Sequence, residues 1–464
     1  MSTPTTRTLA AFAQSCGGRL QGPDRPFSSI SSDTRTLSAG ELFIALRGER
    51  FDGNEFVSQA LGVGAAGALV SKAQPLALPQ IVVPDTLVAL QRAAHAWREA
   101  FRIPVVGVAG SNGKTTTKEM TAAILSQAGR CLATRGTLNN HFGVPLTLLR
   151  LEESDRFAVI EIGANHPGEV AALVAIARPT VGLITNAGAE HLEGFGSLEG
   201  VARAEGEMVQ GLSREGTAVL NADDAFIALW RGMTPARVVT FGVEHSADFR
   251  ATNIDPSLTS EGFLTRFTLT CPLGTTAIEL HLGGRHNVGN ALAAAAAAAQ
   301  AGATLEHIAV GLASVRAVSG RLQLKQAARG AWVIDDSYNA NPSSVRAGIE
   351  VLGALSGRRW LVLGDMAELG EFAPEAHAQI GKLAREQGLE RLYAVGSLAA
   401  LAVERFGAGA QWFPDTNALS EALLAALAGG ATDVRLLIKG SRVNRLERVV
   451  AALMSGSEGH PEAH

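Results

Sequence analysis

The chain has 464 residues, 47% of them hydrophobic and 18% charged, and a formal net charge of −4. The length corresponds to roughly three domains at about 150 residues each, and the apolar content excludes a disordered or fibrous chain. The balance of 40 basic against 44 acidic residues, with no basic stripe, excludes general nucleic-acid binding. Cys16, Cys131 and Cys271 form neither a C-x-x-C pair nor an even framework, which suits a reducing, cytoplasmic setting. No apolar stretch approaches the ~18 residues of a membrane span. Leu9–Cys16 is too short, and too polar at Gln14 and Ser15, for a signal segment.

Taken in chain order, Leu42–Leu46, Ala68–Val70 and Ile81–Val83 read as short strands, and Thr86–Phe101 as a helix that ends ahead of Pro104. Pro104–Ala109 is an apolar strand followed by a helix over Lys114–Gln127. Phe157–Ile162 and Val181–Thr185 continue a β–α alternation that implies parallel strands with crossover helices. Val238–Phe241, Phe263–Thr270 and Ala277–Leu282 read as antiparallel strands. Asn287–Ala301 is an alanine-rich helix, because alanine is the best helix former. From about residue 315 the alternation resumes with Trp332–Asp335, Trp360–Leu363, Arg391–Val395 and Arg435–Ile438, a second nucleotide-fold-like unit. The tail from Ser455 to His464 has little to bury and is expected to be disordered.

The sharpest motif is Gly110-Ser111-Asn112-Gly113-Lys114-Thr115-Thr116, set between a strand and a helix. Small residues there let backbone N–H groups close around phosphate oxygens, and the helix N-terminus adds a positive dipole. Lys114 suits the β- and γ-phosphates, and the Thr115 hydroxyl suits Mg²⁺. A leading glycine at position 108 is absent, since Val108 stands there. Glu161 ends an apolar run, at the carboxyl end of a strand where open α/β sheets bind ligands. His191 also lies just past a strand end, and a neutral imidazole can take a metal. On pattern alone Glu161 also suits a turn carboxylate, His191 an ordinary histidine and Glu205 a solvated helix face.

The ordered set of motifs resembles the Mur ligases of peptidoglycan synthesis, from about residue 28 to 452. The N-terminal part resembles them at SSDTR (31–35) and LFIALRGERFDGNEFV (42–57). The central part does so at GTLNNHFGVPLTLL (136–149), EIGANHPGE (161–169), HLEGFGS (191–197) and GRHNVGNALAA (284–294). The C-terminal part does so at DDSYNANPSS (335–344), LGDMAELG (363–370) and IKGSR (438–442). The resemblance implies an α/β protein of three domains. These are a UDP-sugar-binding domain over 1–101, a central P-loop-type ATP-binding domain over 102–313 and a C-terminal Rossmann-like acceptor domain over 314–454.

It implies an ATP-dependent amide-forming ligase, and the SYNANP stretch implies the member that joins D-Ala-D-Ala to UDP-MurNAc-tripeptide through an acyl phosphate. ATP and two Mg²⁺ ions, a monomeric chain and a cytoplasmic location follow from the same resemblance. Lys114 is implied to neutralise phosphoryl charge, Thr115 and Glu161 to hold one Mg²⁺, and His191 with Glu205 a second. Asn287 and Asn290 fall at the adenine end, Asp336 at the ribose and Arg321 at the phosphates. Ser32, Asp33, Thr34 and Arg35 fall to the UDP part, and Thr137, Asn139 and Asn140 to the sugar–peptide part. Tyr338, Asn339, Asn341 and Ser343 fall to D-Ala-D-Ala, with Lys439 and Arg442 toward its carboxylate.

Two positions depart from the family pattern. Thr137 stands where GNLNN is usual, and Glu205 stands where related ligases carry a lysine that is carbamylated. A carboxylate encoded at 205 is the expectation from that second departure, since Mg²⁺ prefers anionic oxygen. Other amide ligases of the same group, a P-loop phosphotransferase and a non-catalytic nucleotide-binding scaffold are the competing readings.

Overall fold

A computed structural model describes residues 7–48, 51–259, 261–327, 330–429 and 433–455. Glu49 and Arg50 of the 42–57 motif, and residues 456–464 of the expected tail, lie outside them; Ser455 itself closes the helix Glu447–Ser455. The described residues form three β-sheets, each packed with helices.

The first sheet runs Arg19–Gln21, Gln80–Val82, Gly67–Val70, Leu42–Ile44 and Ile30–Ser31 in space. Its outer strand Arg19–Gln21 is antiparallel and the others are parallel. The inner strands Leu42–Ile44 and Gly67–Val70 are apolar and buried throughout, as expected for strands covered on both faces. One face packs on the helices Leu9–Cys16 and Thr86–Glu99 and the other on Val57–Val63.

The central sheet has nine strands. In space they run Gly274–Leu280, Gly262–Cys271, Phe249–Thr259, Arg237–Gly242, Thr217–Asn221, Val181–Ile184, Val105–Ala109, Phe157–Glu161 and Cys131–Ala133. All neighbours from Cys131–Ala133 across to Phe249–Thr259 are parallel. The antiparallel reading of Val238–Phe241 is therefore corrected. That strand is reached through the helix Ile227–Met233, so it returns parallel to Thr217–Asn221 as a crossover connection requires. Antiparallel pairing begins only beyond Phe249–Thr259. That strand is largely polar and contains Pro256, which hid it from the sequence reading.

The third sheet runs Gln323–Gln326, Trp332–Asp336, Val434–Lys439, Arg358–Gly364, Arg391–Val395 and Ala410–Phe413, parallel except for the first.

The alanine-rich segment forms the helix Arg285–Gln300, with every residue from Ala291 to Ala298 fully buried. A helix apolar all round belongs inside a core. Its short side chains let it lie against the helix Lys114–Ser126, which also supports Leu305–Ser314. Gly311 makes that second approach possible, because a Cβ there would lie 2.4 Å from the Ile124 Cα. The helix that carries the phosphate loop is thus held by packing with little room to give. Gly311→Val should destabilise the protein by about 1–3 kcal/mol, the usual cost of overpacking. Urea unfolding checks this; an unchanged midpoint and slope would contradict the tight approach.

Candidate active site

The loop Gly110–Gly113 joins Val105–Ala109 to the helix Lys114–Ser126 in left-handed backbone at both glycines, φ 117° at Gly110 and 80° at Gly113. A Cβ at Gly110 would meet Thr185 Oγ1 at 2.1 Å, and one at Gly113 would meet Asn290 Oδ1 at 2.3 Å. Conformation and space both demand glycine here. Asn112 N–H donates to Asn186 Oδ1 at 3.1 Å, and Thr185 Oγ1 donates to Asn112 O at 2.7 Å, so the loop is braced from the next strand end.

Lys114 is folded back into the loop. Its Nζ donates to Gly110 O at 2.5 Å, to Ser111 O at 3.1 Å and to Glu190 Oε1 at 3.1 Å. Burial works against its charge, but Glu190, Glu205 and Glu161 outweigh that and raise its pKa. Thr115 Oγ1 donates to Glu161 Oε1 at 3.2 Å and accepts from Arg321 Nη2 at 3.0 Å. Asn139 Nδ2 donates to the same Glu161 oxygen at 2.9 Å, while Glu161 Oε2 is buried with no hydrogen-bond partner. A buried carboxylate oxygen left unpaired beside a threonine hydroxyl is a donor set that fits Mg²⁺. Among the described residues no group of three His, Cys, Asp or Glu side chains gathers to hold a metal. Mg²⁺ is compatible with that, because it usually takes one or two protein oxygens and fills its shell with phosphate and water.

A cavity of about 600 Å³ opens at this point. Ser111 to Thr116, Thr137, Asn139, Glu161 and His191 line it from the central domain, with Asn287 and Asn290. Arg321, Asp336, Tyr338, Asn339, Asn341 and Ser343 line it from the C-terminal domain. Asn341 caps the helix Pro342–Gly353 and donates through Nδ2 to Asn112 Oδ1 at 2.8 Å; Asn112 Nδ2 donates to Ser343 Oγ at 2.9 Å. The Arg321 guanidinium lies 4.5 Å from the Tyr338 ring centroid, which fixes its plane. A larger cavity, about 1360 Å³, lies at the opposite end of the central strands. Its buried Arg98 is spent on the carbonyls of Phe101, Ala177 and Arg178, and the glycine phosphate loop does not border that cavity.

Several expected residues stand elsewhere. Asn140 does not line the cavity; its Oδ1 accepts at 3.0 Å from the N–H of Gly143, the first residue of the helix Gly143–Leu148. Lys439 does line the cavity, but it donates to Asp336 Oδ2 at 2.6 Å and to Asn339 O at 3.1 Å, so its charge is paired with Asp336 there. Ser32, Asp33, Thr34 and Arg35 follow the strand Ile30–Ser31 and are remote from the cavity lining. The Arg35 guanidinium bonds to Asp33 and lowers its pKa to about 2.

Glu205 lies beneath the loop, its Oε2 accepting Gly110 N–H at 2.7 Å, and it does not line the cavity. Its helix Leu198–Gln210 turns that face into the core. The acid that does reach the cavity beside Lys114 and His191 is Glu190, which the sequence reading passed over. Glu190 and Asn186 are polar residues just past the apolar strand Val181–Ile184, the same signal that flagged His191. His191 sits at φ 49°, its Nδ1 paired with the Glu368 carboxylate from the C-terminal domain.

A phosphate cradle on one α/β domain, roofed by side chains of a second, defines a P-loop enzyme whose site is divided between domains. The chain belongs to the Mur ligase family. The Mur ligase middle domain matches residues 108–298, the Mur ligase glutamate ligase domain 320–442 and the Mur ligase family catalytic domain 26–114. It is 45% identical to the UDP-N-acetylmuramoyl-tripeptide–D-alanyl-D-alanine ligase of Escherichia coli K12, over 96% of this chain and 98% of that one. It superposes on a crystal structure of MurF from Acinetobacter baumannii with a TM-score of 0.91 at 35% identity, covering 98% of this chain and all of that one. On the MurF ligase of Thermotoga maritima in complex with ADP the TM-score is 0.80 at 26% identity, over 93% and 98% of the two chains.

Burial raises the Glu205 pKa from 4.5 to about 7, Lys114 opposing the shift and Glu190 adding to it. Between those values the folded chain binds the proton that the unfolded chain releases. The contribution of Glu205 to stability therefore falls as pH rises through that window. Glu205→Gln keeps an acceptor for Gly110 N–H without the charge. Its melting temperature should match wild type near pH 5 and exceed it near pH 8. A constant difference across that range would contradict the buried placement.

Proposed function

We propose that this chain joins D-Ala-D-Ala to UDP-MurNAc-tripeptide with cleavage of ATP to ADP and phosphate, acting in the cytoplasm as a monomer. The single observation that carries the reading is Lys114 in a glycine loop beside Glu161 and Thr115, inside a cavity that the C-terminal domain completes. The likeness over nearly the full length to relatives named for that reaction supports the choice of substrates. That no described helix is long and apolar enough to cross a membrane agrees with the location.

A carboxylate is a poor electrophile at neutral pH. Transfer of the γ-phosphoryl group to it makes an acyl phosphate, and attack by the acceptor amine then expels inorganic phosphate through a tetrahedral intermediate. The protein's part is alignment and neutralisation of charge. Lys114 releases Glu190 and turns its ammonium to the transferring phosphoryl group. Arg321 brings a rigid fork of donors from the facing domain. Asn287 and Asn290 hold the adenine end, and Asp336 with Lys439 the ribose. Ser32 to Arg35 hold the uridine diphosphate, with Thr137 and Asn139 along the sugar and peptide. Thr115 and Glu161 would hold a Mg²⁺ ion, with His191 toward a second; when bound, Mg²⁺ offsets phosphate charge. Tyr338, Asn339, Asn341 and Ser343 form the acceptor side.

Phosphate release should require ATP, UDP-MurNAc-tripeptide and D-Ala-D-Ala together, and single amino acids or glutamate should not replace the dipeptide. Accumulation of a stable phosphorylated product without the dipeptide would favour a phosphotransferase instead. Lys114→Ala should fold with reduced stability, because the surrounding acids lose their cation, and lose about 10²–10³-fold or more in kcat, as when one aimed donor to developing charge is removed. Near-normal turnover by the folded variant would overturn the role of Lys114.

A further inference from the structure

Behind the main cavity lies a smaller one of about 170 Å³, bounded by Tyr338, Asn339, Asn341 and Arg442. Glu190 lines both. Its side chain is only 11% exposed and its carboxylate is 3.1 Å from the Lys114 ammonium. Among the described residues no other acid borders both spaces: Glu161 and Asp336 face only the larger, and Glu368, in the smaller, is taken by His191.

A phosphate in the loop competes with Glu190 for Lys114, and as the ammonium turns to the phosphate a nearly buried carboxylate loses its cation. Such a group costs far more unpaired than paired. A replacement cation is therefore favoured in the space Glu190 still faces. The acceptor amine, resting on the proposed function, arrives as an ammonium with a carboxylate at the far end of the dipeptide. Arg442 stands on the wall of the small cavity, 67% exposed and 3.5 Å from Glu447, open to that far carboxylate. Lys439, the other basic candidate, is held by Asp336.

We propose that Glu190 is the ammonium-binding residue of the acceptor site, exchanging the Lys114 ammonium for that of the incoming D-Ala-D-Ala. One carboxylate thereby serves two cations in turn. The acceptor is selected by its charge as well as its shape, and the small cavity is the dipeptide's seat.

The test compares wild type, Glu190→Gln and Glu190→Asp at one pH, with two probes, D-Ala-D-Ala and N-acetyl-D-Ala-D-Ala, which lacks the ammonium. Binding of each is measured by equilibrium dialysis with a non-hydrolysable ATP analogue and UDP-MurNAc-tripeptide present, alongside the KM for D-Ala-D-Ala. Wild type should prefer D-Ala-D-Ala over its acetylated form by tenfold or more. Glu190→Gln should lose that preference, raise the KM for D-Ala-D-Ala at least tenfold and bind ADP as tightly as wild type or more so; Glu190→Asp should fall between. An unchanged preference in a folded Glu190→Gln overturns the proposal. So does a weakened affinity for nucleotide or Mg²⁺ with the dipeptide KM unmoved, which would leave Glu190 as a brace for Lys114. Absence of any D-Ala-D-Ala binding by wild type would instead sink the proposed function.

Discussion

The arrangement depends on one largely enclosed positive charge. Lys114 is held inside a glycine loop by two carbonyls of that loop and is ringed by Glu190, Glu205 and Glu161. Any solution that buries an ammonium must supply charge and donors' partners around it, and each of these acids is delivered by a different element. Glu161 comes from a strand end, Glu190 from the loop beyond the next strand and Glu205 from a helix under the sheet. The order of the central sheet brings them together, since Val105–Ala109 lies between Phe157–Glu161 and Val181–Ile184. The tight helix packing behind the loop then keeps it from relaxing away from them.

The same charge organises the second domain. Arg321 reaches Thr115 across a sequence separation of 206 residues, and Asn341 reaches Asn112 across 229. Glu368 meets His191 from a left-handed turn at φ 63°. These polar contacts lie beside an apolar cluster in which Leu192, Phe195 and Phe263 meet Leu322, Val351 and Leu369. The polar contacts can be exchanged for ligand groups at small cost, because each partner also bonds well to water or phosphate. The C-terminal domain therefore recognises the loop with the groups that suit a nucleotide lying between them.

How much of this the sequence disclosed follows from which facts are local. The phosphate loop, its strand and its helix are contiguous, so Gly110 to Thr116 could be read directly. Glu161 and His191 were legible because a polar residue just past an apolar strand has a predictable place. The strand Phe249–Thr259 was not, because its alternation is polar and broken by Pro256. Asn140 reads as a ligand contact, whereas here its Oδ1 holds the Gly143 N–H, and both uses draw on one residue type. Glu205 was the hardest. Its helix was legible, but not that the face bearing it points under the loop to meet Gly110 N–H 95 residues away.

That pair of acids shows why position outweighs residue type. Glu190 and Glu205 both act on Lys114, and a count of charges treats them alike. Glu205 gives a carboxylate oxygen to a backbone N–H that the loop cannot satisfy otherwise, and it is sealed from the cavity. Removing its bond would unmake the loop, so it cannot change partners during a reaction. Glu190 bonds only to a side chain that must itself move, and it borders open space on two sides. A buried acid tied to backbone serves the fold; an acid tied to a mobile ammonium, facing the place where another ammonium enters, can take part in the reaction. The loop keeps its shape through the first and changes its contacts through the second.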